Sequence, residues 1–204
     1  MSNEFSKKEL ALIKQLDTPV KIQDFLNSFP VDFNISRDTC ASPLGVLRKR
    51  KAHCIEGALL AAHILATHGK KPLIMDLRAT SRDLDHVVAL FRENGRWGAI
   101  SKTNYAVLRY REPIFKTIHE LALSYFHEYT THDGTKTLRE FSEAFNVSRF
   151  DKKNWQTDPN DLWYIAIALD DSPHVSIIPK KLIHHLRKAD PIEIKAGKLV
   201  EWKK

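Results

Sequence analysis

The sequence predicts an α+β domain in which a buried central helix packs on an antiparallel sheet, and three observations carry that expectation. Residues 54–67 are apolar on nearly every side, with Glu56, His63 and Thr67 sharing one polar stripe at helical spacing, which is the pattern of a helix covered by its neighbours. His86-Val87-Val88-Ala89-Leu90-Phe91 is β-branched and apolar, as strands are. Asn94-Gly95 separates that run from Trp97-Gly98-Ala99-Ile100, and a pair of residues that both tolerate positive φ suits a tight hairpin turn. Gly69 marks a stop for the helix, and Pro72-Leu73-Ile74-Met75-Asp76-Leu77 reads as a further short strand between helix and hairpin.

The flanking segments are assigned in order along the chain. Ser6-Lys7-Lys8-Glu9 matches a capping box and Thr18-Pro19 places a capping hydroxyl before a proline, so two short helices are expected before residue 30. Residues 30–50, broken by Pro43 and Gly45, read as a long surface connection. Phe115, Ile118, Leu121, Ala122, Tyr125, Phe126 and Tyr129 fall at helical spacing and predict an amphipathic helix over 115–129. Thr137-Leu138-Arg139-Glu140 repeats the capping-box pattern. Further on, helices are expected over 161–169 and 179–186, followed by a hairpin joining Ile192-Glu193-Ile194 to Leu199-Val200-Glu201-Trp202. No repeat or flexible linker divides the chain, so 1–150 is expected to form the main domain, with an N-terminal helical extension, and 151–204 a C-terminal extension packed on it.

Composition narrows the function classes. The chain has 204 residues, 43% hydrophobic and 28% charged, a globular mix that excludes wholesale disorder. Lysine and arginine total 32 against 25 acids, a net charge of +7 that keeps nucleic acid among the candidate partners, and Arg48-Lys49-Arg50-Lys51 is its densest run. No run of about 18 apolar residues is present and the first residues lack the apolar core of a signal peptide, so no membrane span and a cytoplasmic location are expected. The seven glycines form no nucleotide-binding pattern, so no cofactor is expected. His53, Cys54, His63, His68 and His86 lack the paired spacing of a zinc site.

With two cysteines, Cys40 and Cys54, the chain is no disulfide scaffold, and Cys54 stands where a loop becomes a helix. There the unpaired backbone amides and the positive helix end favour thiolate over thiol. His86 begins the apolar strand directly after a polar loop, where an imidazole within reach of Cys54 would hold its proton and pass it to a leaving amine.

The order of these parts is a helix opening at His53-Cys54-Ile55-Glu56-Gly57-Ala58, a strand, Asp85-His86-Val87-Val88-Ala89-Leu90-Phe91, Asn94-Gly95, then Arg96-Trp97-Gly98-Ala99-Ile100-Ser101. Over residues 50–105 this resembles the core of the transglutaminase-like family, a branch of the papain-like cysteine hydrolases. The resemblance implies a papain-like fold, with Cys54 as nucleophile and His86 as base. It also implies acyl transfer from a peptide or other amide, resolved by water in a hydrolase or by an amine in a transglutaminase. Ser101 falls where that family usually carries an acid that orients the histidine; a serine hydroxyl can accept one hydrogen bond but brings no negative charge. Asn104 and Asp76 are the alternatives for that role. The Cys54 amide is the candidate oxyanion donor, with Arg48, His53 and Ser42 as further candidates for a second donor. Glu56 and Gly57 are assigned to the helix start and to close packing. A catalytically inactive interaction module and a basic nucleic-acid-binding protein are the competing readings. Neither calcium nor an oligomeric state is implied by the sequence.

Overall fold

Capping chemistry sets the first helices. Ser6 opens α1 (Lys7–Gln15): its hydroxyl accepts from the Glu9 N–H at 3.2 Å and its own N–H donates to the Glu9 carboxylate at 2.7 Å. Thr18 opens α2 (Pro19–Asn27), its hydroxyl accepting from the Lys21 N–H. Ser42-Pro43 repeats that signal and starts α3 (Pro43–Lys49), a helix inside the stretch expected to be a surface connection. Seven residues are too few to display a period, yet Val46 and Leu47 are buried against the same core as the central helix, and that burial makes the segment helical. The computed structural model describes residues 4–32 and 39–203; residues 33–38 of the expected connection lie outside the described residues.

The central helix α4 (Cys54–Thr67) buries Gly57 through Ala62 together with Ile64 and Leu65. It packs on an antiparallel sheet built from β1 (Leu73–Ala79), β2 (His86–Glu93), β3 (Arg96–Ser101), β4 (Arg111–Phe115), β5 (Leu138–Ser142), β6 (Phe145–Asn146) and β7 (His174–Ser176). The order is β4-β3-β2-β1-β5-β7, with β6 also paired to β1, and every pairing is antiparallel. Alternate residues of the central strands enter two cores. Ile74, Val87, Ala89, Phe91 and Ile100 join α4 and the N-terminal helices, whereas Met75, Leu77, Val88, Leu90 and Ala99 join Leu121, Ala122, Tyr125 and Tyr129. Burial on both faces explains why β2 reads as a continuous apolar run. The hairpin turn has φ of 47° at Asn94 and 77° at Gly95, as its two residues suggest.

Several segments depart from their expected form. The stretch 115–129 is not one helix: Phe115 ends β4, α5 (Ile118–Leu123) follows, and a 3₁₀ turn spans Phe126–Glu128. The Ser124 hydroxyl donates back to the Leu121 carbonyl at 2.7 Å, and this local bond closes the helix early. The box at Thr137 does not open a helix; Leu138–Ser142 is β5, because β1 offers an unpaired edge and Leu138 and Phe141 bury against it. Glu140, which would have completed the box, instead lies opposite Arg78 across that pair at 3.4 Å.

Beyond a 3₁₀ turn over Val147–Lys153, α6 (Trp163–Asp170) adds Ile165 and Leu169 to the core, and β7 pairs with β5. The helix expected over 179–186 is a 3₁₀ turn, Lys180–His185, with no buried residue to reward a full helix. The expected C-terminal hairpin is instead α7 (Pro191–Gly197), where an Asp190–Glu193 capping box and Pro191 at the first position outweigh the β-branched Ile192 and Ile194. Val200 then bridges to Tyr105 rather than back to residue 192. Among the described residues, no helix is long and apolar enough to cross a membrane.

Candidate active site

Cys54 is the first residue of α4 and is half-buried. Burial by itself raises its thiol pKa, but the His53 and His86 side chains beside it and the Val87 N–H outweigh that and pull the thiol down to about 5. Cys40 is the opposite case: it is wholly buried, and burial with the nearby Glu56 and Asp161 charges pushes its thiol up to about 12. The two cysteines therefore stand in opposite electrostatic settings.

His86 begins β2 and Ser101 ends β3. Val88 is the register partner of Ser101, so His86 is its diagonal neighbour, within side-chain reach across the pair. His86 Nε2 lies 2.8 Å from Ser101 Oγ, and Ser101 Oγ lies 2.5 Å from the Leu108 carbonyl oxygen. A carbonyl only accepts, so the serine proton points to Leu108 and Oγ accepts from His86 Nε2–H. That leaves Nδ1 as the His86 nitrogen not engaged by Ser101. Leu108 is held at φ 60°, a left-handed conformation uncommon for leucine, by its N–H bond to Glu128 Oε2 at 2.6 Å.

The backbone of Ser101 is clamped from α2. Its N–H donates to Gln23 Oε1 at 2.9 Å, and Gln23 Nε2 donates to its carbonyl at 2.8 Å. Gln23 went unassigned in the sequence, although a buried glutamine beside the apolar face of Ile22 and Leu26 is a usable signal. Gly57 packs so closely on β3 that a Cβ there would sit 2.4 Å from Lys102 Cβ, which fits its assignment to close packing. Lys102 itself is 2% exposed, donates to the Phe29 carbonyl at 2.5 Å, and is pushed down to about 8 by burial, partly offset by Glu201.

Cys54, His53 and His86 open into a cleft of about 460 Å³, walled by Lys102, Tyr129 and, from the C-terminal segment, Ile194 and Lys198. His53 Nε2 lies 2.5 Å from the Thr39 carbonyl oxygen and 3.7 Å from Glu56 Oε2. Glu56 is fully buried; it accepts from Thr39 Oγ1 at 2.8 Å, from the Ala41 N–H at 2.9 Å and from the His53 N–H at 3.3 Å.

The remaining sequence candidates are held by other partners, although Asn104 also lines the cleft. Asn104 pairs with the Trp202 backbone, donating to its carbonyl at 3.0 Å and accepting from its N–H at 2.8 Å. Asp76 meets His174 Nε2 at 3.2 Å, and its carboxyl is raised to about 6 by burial and the nearby Asp85. Ser42 caps α3 and donates to the Asp158 carbonyl, and Arg48 pairs with Glu9 at 3.0 Å. Of the three further oxyanion candidates, only His53 lines the cleft. Among the described residues, a group that could hold a metal ion is Asp76, Asp85 and Asp170, where Arg78 lies 2.6 Å from Asp170 Oδ1. Compared with known proteins, the chain matches no family model and no curated protein.

Proposed function

We propose that this chain is a transglutaminase-like cysteine hydrolase or acyltransferase, of papain-like fold, that acts on an amide bond through Cys54, His86 and Ser101. One observation carries the reading: Cys54 stands at a helix start and opens into a cleft that it shares with His86, whose Nε2 is fixed on Ser101 Oγ at 2.8 Å. The Cys54 sulfur attacks the amide carbonyl and forms a C–S bond. Its former proton, held by His86, passes to the leaving nitrogen as the C–N bond breaks, leaving a thioester. Water or an amine then attacks that carbonyl, gives a proton to His86, and releases the thiolate as the C–S bond breaks. The developing oxyanion is met by the Cys54 N–H at the helix start.

The test is the pH profile of iodoacetamide alkylation of Cys54, in the Cys40→Ser background, with and without His86→Ala, followed by a screen of amide substrates. The expected result is a thiolate that reacts well below the ordinary thiol pKa and loses that reactivity without His86. A Cys54 that stays inert until the protein unfolds moves the assignment to an interaction module on the same fold.

A further inference from the structure

Position 101 brings no charge to His86, but a buried carboxylate, Glu56, does stand 3.7 Å from the ring of His53, the residue before the thiol. Glu56 is sealed from solvent, and its three hydrogen-bond donors, the Thr39 hydroxyl and the Ala41 and His53 amides, are all neutral. Among the described residues, the group that can give it a positive partner is the His53 ring, 3.7 Å away. A carboxylate removed from water needs such a partner. His53 Nε2 faces the Thr39 carbonyl, which only accepts, so Nε2 carries a proton, and the other nitrogen is left for Cys54.

From this arrangement we infer that the two histidines flanking Cys54 divide the work: His53, held by Glu56 and Thr39, stays protonated as the standing counter-ion of the thiolate, while His86, held by neutral Ser101, moves the proton. The inference rests on the hydrolase reading and adds a second catalytic histidine to it. The acid missing opposite His86 thus has a counterpart opposite His53. Burial works against a charged His53, yet the neighbouring Cys54 and Glu56 and the Thr39 carbonyl outweigh burial and push it up to about 9. The other acids on the cleft wall are engaged elsewhere: Asp83 accepts from the Thr137 hydroxyl, Asp85 from the Ala79 N–H, and Glu128 pairs with Arg111 at 2.7 Å. His86 faces Cys54 from β2; of the cations on the wall, Lys102, just beyond β3, is directed to the Phe29 carbonyl, Arg82 pairs with Asp133 at 3.3 Å, and Lys198 comes from the C-terminal segment.

The experiment measures the Cys54 thiol pKa by alkylation profile in Cys40→Ser protein carrying His53→Gln, His86→Gln or Glu56→Gln. Each single histidine loss is expected to cut alkylation at pH 6 at least about tenfold, with Glu56→Gln moving the profile the same way as His53→Gln. If only His86→Gln shifts the profile, the division of labour is overturned and the hydrolase reading survives. If only His53→Gln does, the standing counter-ion survives and the His86 mechanism falls; if neither does, both fall. A measurement that needs no substitution at His53 guards against misfolding: NMR titration of its ring in the parent protein is expected to show imidazolium persisting above pH 8, and a midpoint near the ordinary 6.5 overturns the proposal.

Discussion

Ser101 is a fitted neutral residue, because its hydroxyl must donate to Leu108 and accept from His86 at once. Ser101→Ala strands both partners and is expected to cost about 1–3 kcal/mol. Ser101→Asp, which would install the acid usual at this position in transglutaminase-like proteins, places a carboxylate against the Leu108 carbonyl with no proton to share; urea unfolding is expected to find it less stable than Ser101→Ala at pH 7. His63 makes a separate prediction. Its ring stacks on Phe5 at 5.0 Å, its Nε2 has no partner, and burial pulls its pKa down to about 4, partly offset by Asp151. The fold holds it neutral while the unfolded chain takes up a proton near 6.5, so stability falls as pH drops from about 6.5 towards 4. His63→Phe is expected to flatten that slope, by on the order of 2–3 kcal/mol at its acid end, in urea titrations at pH 7 and 4.5.

At the scale of elements, the parts legible in the sequence are those whose signal is local. The continuous apolar surface of α4 and the β2–β3 hairpin, with its Asn94-Gly95 turn, needed no distant information, and they carry Cys54, His86 and Ser101. What stayed hidden depends on partners far away. Thr137–Glu140 has the letters of a helix start, but the open edge of β1 recruits it as strand, and Ile192 with Ile194 has the letters of a strand but yields to a capping box. The Gln23 clamp is the extreme case, since it joins residues 78 apart in sequence. Gln23→Ala leaves a buried N–H and C=O of Ser101 unpaired and is expected to cost about 2 kcal/mol or more in chemical denaturation. The same variant is expected to slow alkylation of Cys54 by loosening the end of β3 under His86; an unchanged rate would separate α2 from the site.

For the whole molecule, the net charge is +7, but its densest basic run does not project as four free cations. In the basic run, Arg48 is paired with Glu9 and Arg50 lies over the Phe29 ring at 4.9 Å, which leaves Lys49 and Lys51 to project. Duplex DNA is therefore expected to bind no more tightly than the non-specific range of about 10⁻⁴–10⁻⁶ M at physiological salt, and a gel-shift series across salt concentrations checks it. Sub-micromolar, salt-resistant binding would favour the nucleic-acid reading over the hydrolase.

The cleft draws its walls from Val31 at one extreme of the chain and Lys198 at the other. During synthesis, at roughly 5–20 residues per second, Cys54 and His86 leave the ribosome many seconds before Ile194 and Lys198 do. The nascent protein thus carries the proposed nucleophile and base before the chain that finishes the wall around them has been made, and translation itself decides when the cleft can first be completed.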